Sequence, residues 1–352
     1  MAISIKDIAR IAGVSHSTVS RALRNSPLIP RKTSERIQKI ASQHGYTASA
    51  IARSLVTRKT QAIGVVVTSI ADPFNGEVVA GIEEVANQHG YSVILANSQA
   101  EPEREMAVVR SFHERRVDGI LVASSRVGAR YIPLLSDLKV PIVLLNNQHP
   151  DEFAYSITID NVDGGYQATR HLIKLGHQRI AYIGDRCGFQ SDTQRYRGYV
   201  KAFEEAGLSV QPELVVKANG KPEEGAESAK DLFALRRPPT AVFCYNDMTA
   251  LGVLQEAARR GIRVPGDLSV VGFDDLFFAA LLQPPLTTVR QPREMLGRRA
   301  MEILLSLLSA EAAPKAAKIK GELIVRQSSA APTVTSRSLK GRTQRPDRGN
   351  RA

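Results

Sequence analysis

From residue 62 onward the chain alternates strand-length apolar runs with amphipathic helical stretches, and this narrows the possible folds more than any other feature. Apolar runs fall at 63–68, 92–96, 119–123, 142–145, 180–183, 241–244 and 269–271. Helical periodicity fills the gaps, for example over 76–89, 103–115, 165–175 and 249–260. Apolar strands separated by helices belong to parallel sheets covered on both faces. The units are too many for one compact sheet, and the pattern restarts near Asp160-Asn161. Two α/β lobes with a cleft between them are therefore expected. Ligands of such folds bind beyond the carboxyl ends of the strands, so the chemistry of the cleft is sought there.

The first 46 residues have a different texture. Ser4 and Asp7 are spaced as a capping box, and Ile5, Ile8, Ala9 and Ala12 share one face of the helix it starts. Gly13-Val14 breaks that helix. Ser15 can cap a second over 16–24, with Val19, Ala22 and Leu23 inward, and Asn25-Ser26-Pro27 ends it. A third follows over about 32–44, with Gly45 in the position of a helix-terminating glycine. Three short helices with a glycine turn between the first two make a helix-turn-helix. Such a module lays the start of its second helix in the major groove. That puts His16, Ser17 and Arg21 within reach of base edges, with Arg21 suited to a bidentate bond to guanine. Ser4, Ser15, Thr18, Ser20 and Asn25 suit phosphate contacts, which position the head without reading sequence.

Charge agrees with a polyanionic partner for this end. Of the formal net charge of +12, residues 1–60 carry +9 and residues 330–352 carry +5, leaving −2 for the middle. A basic head on a near-neutral body is the electrostatic footprint of a nucleic-acid binder. Charge alone is equally compatible with a solvated basic face. The helix-turn-helix makes the difference.

The head resembles the lactose-repressor/galactose-repressor (LacI/GalR) regulators. The run Asp7-Ile8-Ala9-Arg10-Ile11-Ala12-Gly13-Val14-Ser15, followed by Thr18-Val19-Ser20-Arg21-Ala22-Leu23, looks like the opening signature of that family. Gly45-Tyr46 and Ala52-Arg53-Ser54-Leu55 extend the likeness into the family's hinge, which folds on DNA and wedges a leucine into the minor groove. By that match Leu55 is the wedge, with Ala52, Arg53 and Ser54 beside it. The plainer alternative is a leucine packed in a linker core. Ala48-Ser49 stands where the family usually has Pro-Asn, a departure that bears on hinge rigidity.

The likeness continues through Asp72-Pro73-Phe74, Asp118-Gly119-Ile120, Asp160-Asn161, Gly176-His177-Gln178-Arg179-Ile180, Arg195-x-x-Gly198, Asn246-Asp247-Met248, Val271-Gly272-Phe273-Asp274-Asp275 and Leu286-Thr287-Thr288. It implies an all-α helix-turn-helix head joined to a two-lobed, periplasmic-binding-protein-like α/β sensor domain with parallel sheets. The expected division is 1–46 for the head and 47–60 for hinge helix and linker. An effector-binding and dimerisation unit follows over 61–326, its first lobe about 61–160 plus 290–318 and its second about 161–289 plus 319–326. Residues 327–352, rich in Ser, Thr, Pro, Arg and Gly, are expected to be a disordered basic tail.

Asp72, Phe74, Ser124, Ser125, Asn146, Arg195, Tyr245, Asn246 and Asp274 lie at or just beyond expected strand ends or in the matched motifs, and are the candidate effector contacts. Planar polar partners suit vicinal hydroxyls, and aromatic faces suit the C–H side of a ring. The resemblance puts Arg195, Asn246 and Asp274 first. Asp and Asn at such places also simply cap the next helix, and that reading is preferred for Asp160 and Asp247. Asn146-Asn147 replaces the Asp-Arg of many sugar-responsive relatives, and Tyr245 replaces a small residue. A sugar is favoured as effector, with a nucleoside or other polar metabolite as the alternative.

An enzyme is the main rival class. No Gly-x-Gly-x-x-Gly, phosphate-loop lysine, Gly-x-Ser-x-Gly or metal-type His/Cys spacing occurs, and the seven histidines are scattered. No catalytic residue, metal or cofactor is expected. Cys187 and Cys244 suggest no disulfide framework. With no run of about 18 apolar residues and no signal-like start, a cytoplasmic protein without membrane contact is expected. The absence of an export signal and the presence of the head favour a regulator over a sugar-transport receptor. A homodimer is expected rather than a tetramer held by its tail, because no heptad-patterned C-terminal helix occurs. It is expected to bind a pseudo-palindromic operator, as a repressor under allosteric control.

Overall fold

The computed structural model describes residues 3–46, 59–127, 140–146, 155–312 and 316–333. The hinge candidates Ala52, Arg53, Ser54 and Leu55 lie outside them. The head has α1 (Ile5–Ala12), α2 (His16–Ala22) and α3 (Arg31–Gln43). The capping box is present: Ser4 accepts from the backbone N–H of Asp7, and Asp7 accepts from that of Ser4. Gly13 ends α1 with φ 64°, a left-handed conformation that glycine adopts without a Cβ penalty. Ile8, Val19, Ala22 and Ile37 are fully buried and form the small core where the three helices meet. From α3, Ser34 and Gln38 donate to the Ala22 carbonyl and Arg36 to that of Ala12, so the third helix ties down the ends of the first two.

The body holds two six-stranded sheets. The first lobe contains β1 (Ala62–Val67), α4 (Pro73–Gln88), β2 (Ser92–Asn97), α5 (Pro102–Glu114), β3 (Gly119–Ala123), β4 (Ile142–Leu145) and β5 (Ser156–Ile159). The second contains α6 (Asn161–Lys174), β6 (Ile180–Asp185), α7 (Gln190–Glu205), β7 (Val215–Ala218), α8 (Pro222–Phe233), β8 (Ala241–Cys244), α9 (Asp247–Arg259), β9 (Ser269–Asp274) and β10 (Thr287–Arg290). The chain then returns to the first lobe for α10 (Arg293–Leu308) and β11 (Ala316–Ile319), and crosses once more for β12 (Glu322–Ile324). Strand order is β11-β5-β4-β3-β1-β2 in the first sheet and β12-β10-β9-β8-β6-β7 in the second. Pairing is parallel throughout except for β12 against β10.

β3, β4 and β8 are buried along their whole length, which is why they read as unbroken apolar runs. The sequence pattern did not single out β5, β7, β10, β11 or β12. α6 and α7 pack backbone to backbone: a Cβ on Gly165 would stand 2.2 Å from the Arg195 carbonyl oxygen, and one on Gly198 2.2 Å from that of Val162. This close crossing explains the glycine three residues after Arg195 and sets the register of that arginine over the cleft.

The expected start of tail disorder at 327 is corrected. Ser328 is fully buried, donates to the Val270 carbonyl and accepts from the Thr287 N–H. Ala330 N–H donates to Ser269, and the Ala330 carbonyl meets the His177 ring. Side-chain and backbone pairing thus carries order to residue 333, although the segment has no apolar periodicity.

Candidate functional site

The head presents an exposed polar face at the start of α2. His16, Ser17 and Arg21 are exposed, and the Arg21 side chain makes no hydrogen bond or ion pair to any described residue. Ser15 caps α2 by accepting from Thr18 N–H, and its hydroxyl lies 2.8 Å from that of Ser17 and 2.9 Å from that of Thr18. The other phosphate candidates are engaged within the head. Ser4 is held by Asp7, Ser20 receives the Arg24 guanidinium, and Asn25, at φ 53°, accepts from Gln38.

Between the lobes lies a cavity of about 700 Å³. Of the sequence candidates, Asp72, Phe74, Ser124, Asn146, Arg195, Tyr245, Asn246 and Asp274 line it. Most arrive from the ends of β1, β3, β4, β8 and β9, because parallel strands point their carboxyl ends the same way, and Arg195 reaches in from α7. Ser125 does not belong to the group. It is fully buried in the first lobe and donates to the Glu105 carboxylate, facing away from its neighbour Ser124.

Arg195 organises the second-lobe wall. It is 4% exposed, donates through Nε to Asn161 Oδ1 at 3.0 Å and through Nη1 to the Tyr245 carbonyl. Its guanidinium lies 3.7 Å from the Phe273 ring centre and 4.6 Å from that of Tyr245, and Nη2 is 3.8 Å from Asp274 Oδ1. A buried cation held by ring faces, a carbonyl and a carboxylate is fixed in direction. Burial pushes the Asp274 carboxyl up to about 7 despite the opposing pull of Arg195. Tyr245 shares a 2.9 Å hydroxyl contact with Ser191, and burial raises its phenol above the usual range.

Two candidates hold structure as well as lining the cavity. Asp72 caps α4 by accepting from Phe74 N–H, and Asn246 caps α9 by accepting from Thr249 N–H while donating to the Gly220 carbonyl. Asp160 caps α6, as the plainer reading had it. Asp247 is structural in another way. It is fully buried, caps nothing, and accepts from the Thr288 hydroxyl at 2.6 Å and Leu276 N–H at 2.8 Å.

Charged side chains bridge the lobes at the hinge and near the mouth. Arg293 forks onto both oxygens of Glu77 at 2.9 and 2.7 Å while donating to the carbonyls of Asp274 and Asp275. Arg126, beyond β3, donates to the Cys187 carbonyl and lies 5.0 Å over the Phe189 ring in the second lobe.

The comparisons with known proteins follow the same division of the chain. The family model described as bacterial regulatory proteins, lacI family, matches residues 4–49, and that of the periplasmic binding protein-like domain matches 169–329. The chain is 34% identical over 328 residues to the HTH-type transcriptional repressor PurR of Actinobacillus pleuropneumoniae serotype 3 (strain JL03), covering 92% of this chain and 98% of that one. The chain belongs to the lacI family. The lac repressor dimer bound to operator and the anti-inducer ONPF is similar over 94% of this chain and 100% of that one, with a TM-score of 0.87 and 27% identity. The complex of the transcriptional regulator CelR with cellobiose has a TM-score of 0.71 and 28% identity over 93% and 99% of the two chains. As a lacI-family member the chain is a DNA-binding transcriptional regulator and not an enzyme. No helix among the described residues is long and apolar enough to cross a membrane.

Sequence reasoning missed several residues that line the cavity, among them Asn161, Asp185, Phe189, Ser191 and Gln291. Asp185 carried a usable signal, since it follows the apolar run 180–183 by two residues. Gln291 carried none, because it follows a strand that apolar patterning did not mark. Asp118 belongs to one of the matched motifs. Its two carboxylate oxygens accept from Thr60 N–H at 2.8 Å and Gln61 N–H at 2.9 Å, so it anchors the chain where it enters the first lobe.

Proposed function

We propose that this regulator is a cytoplasmic, dimeric repressor that releases or grips a pseudo-palindromic operator according to a small neutral molecule held between its lobes. His16, Ser17 and Arg21 read base edges, and Ser4, Ser15, Thr18, Ser20 and Asn25 address phosphates. Ala52, Arg53, Ser54 and Leu55 act in the minor groove. Asp72, Phe74, Ser124, Asn146, Arg195, Tyr245, Asn246 and Asp274 form the effector site, with Arg195 and Asp274 at its centre. The observation that carries this reading is the buried Arg195, fixed between two aromatic rings and facing a cavity lined by hydroxyls, amides and carboxylates.

A sugar fits that lining, and the CelR complex with cellobiose supports it by similarity. Phe74, Phe189 and Tyr245 in the wall favour a nucleoside as the second reading, because they offer faces for a base to stack on. Effector and operator change each other's affinity by the same factor, so either can be used to detect the other. The test is a gel shift of the full chain on promoter fragments, run with and without sugars and nucleosides that raise its melting temperature. Sequence-selective, salt-sensitive binding that one such ligand alters is expected. Binding indifferent to every stabilising ligand would refute the regulatory cleft.

A further inference from the structure

Two buried acceptor atoms in the wall of the cleft lack a donor among the described residues. Asp185 ends β6, is 1% exposed, and its Oδ2 has no hydrogen-bond partner among the described residues. Gln291 lies where the chain crosses from β10 to α10 and is 3% exposed. Its amide nitrogen donates to Asp274, while its Oε1 is unpartnered among the same residues. Both line the cavity; the other orphaned side-chain atoms, on His113, Ser156 and Thr249, do not. A buried acceptor left unmade costs its full desolvation, and more when it is charged. The unmet demand is therefore concentrated at the ligand site.

Asp185 is also held in direction. Its carboxyl accepts from the backbone N–H groups of Phe189 and Cys187 and from the Cys187 thiol, in the turn before α7, while burial pushes it above the usual carboxylate range. Charge in the lining points the same way. Asp72, Asp185, Glu223 and Asp274 face Arg195 and Lys221. Arg195 is committed to Asp274, Asn161 and the Tyr245 carbonyl, and Lys221 is an exposed residue. An anionic occupant would meet carboxylates with no buried cation left to match it.

We propose that Asp185 is a specificity-determining residue of the effector site. Its Oδ2 takes a hydrogen-bond donor from an uncharged hydroxylated ligand, Gln291 Oε1 offers a further acceptor elsewhere in the same wall, and phosphorylated or carboxylated relatives of the ligand are excluded. This deepens the reading under Proposed function and rests on it. The shared chemistry is a sugar ring, supplied by a free sugar or by a nucleoside. The site selects by demanding donors where an anion offers only acceptors.

The test titrates the full chain calorimetrically with matched probes: D-ribose against ribose 5-phosphate, adenosine against adenosine 5′-monophosphate, and glucose against glucose 6-phosphate. The ribose and adenosine arms separate the free sugar from the nucleoside. The neutral member of a pair is expected to bind at least about tenfold more tightly than its phosphate ester, and Asp185→Asn to weaken it by about 10- to 100-fold. Unliganded Asp185→Asn is expected to melt at or above the wild-type temperature, because the amide keeps an oxygen for Phe189 and Cys187 while removing a buried charge. A phosphate ester that binds as tightly as its neutral partner overturns the proposal, as does unchanged affinity in Asp185→Asn. A lower melting temperature for the unliganded variant also overturns it, by making Asp185 a structural residue. Operator binding by the wild-type chain, measured alongside, speaks to the regulator reading alone and keeps the two failures apart.

Discussion

Arg21 in the head and Arg195 in the cleft are the same residue type put to opposite uses. Arg21 is exposed on a short helix, with no bonded partner among the described residues. Arg195 is buried and bonded on every side, and its partners come from three separate stretches of the chain. A reader of DNA keeps its donors in water until the partner arrives. A holder of small molecules must be pre-organised, because a ligand of few atoms cannot supply the ordering energy itself. The head therefore tolerates change in stability terms, and the cleft does not.

The largest effect that would sharpen this contrast is Arg195→Ala. It removes the partner of a buried carboxylate and should cost about 3–5 kcal/mol of stability together with all ligand response. Thermal unfolding and ligand titration measure both. A variant as stable as wild type would break the comparison. Arg21→Ala should do the reverse, costing about 1–3 kcal/mol of operator affinity and relaxing specificity at one base pair. Stability should stay within about 0.5 kcal/mol of wild type. Equal loss on random DNA would show that Arg21 does not read bases.

The next test is pH. Asp274 titrates near 7 in the free protein, against an ordinary value of 3.8. Its folded form holds a proton that the unfolded chain releases, so its contribution to stability is fully present below about 3.8 and is lost as pH rises through about 7. Ligand donors require the carboxylate, so affinity should change in the other direction, falling by up to about tenfold per pH unit below 7. Calorimetry in buffers of differing ionisation heat would detect the proton released on binding. Affinity flat between pH 6 and 8 would remove Asp274 from the ligand's contacts. The smallest effect is expected at the joint between the two regions. Asp118→Ala should cost about 1 kcal/mol of stability and reduce the coupling between ligand and operator while leaving each affinity measurable alone. Unchanged coupling would mean that the anchor at Thr60 and Gln61 plays no part in transmission.

What was legible in advance follows the range of the forces involved. Ser4, Asp7, Gly13 and Ser15 act on backbone groups a few residues away, so capping and turn chemistry revealed the head directly. The cleft was legible where a polar residue directly followed an apolar run, as at Ser124 and Asn146. The same rule failed at Ser125, because successive residues can face opposite ways, and Ser125 turns inward to Glu105. It also failed at Gln291, whose position depends on where the chain crosses between lobes.

By itself the sequence determined the helix-turn-helix, the parallel two-lobed architecture and the family likeness, since periodicity, caps and motifs are local properties of the chain. Tertiary structure decided which polar groups are satisfied and which are left for a ligand. Asp185 and Asp247 look alike as isolated acids near strand ends. One keeps an unpartnered oxygen in the cavity wall, and the other is bonded to Thr288 and Leu276. The difference is a matter of neighbours 29 or more residues away, which hydrogen-bond geometry selects and local pattern cannot express.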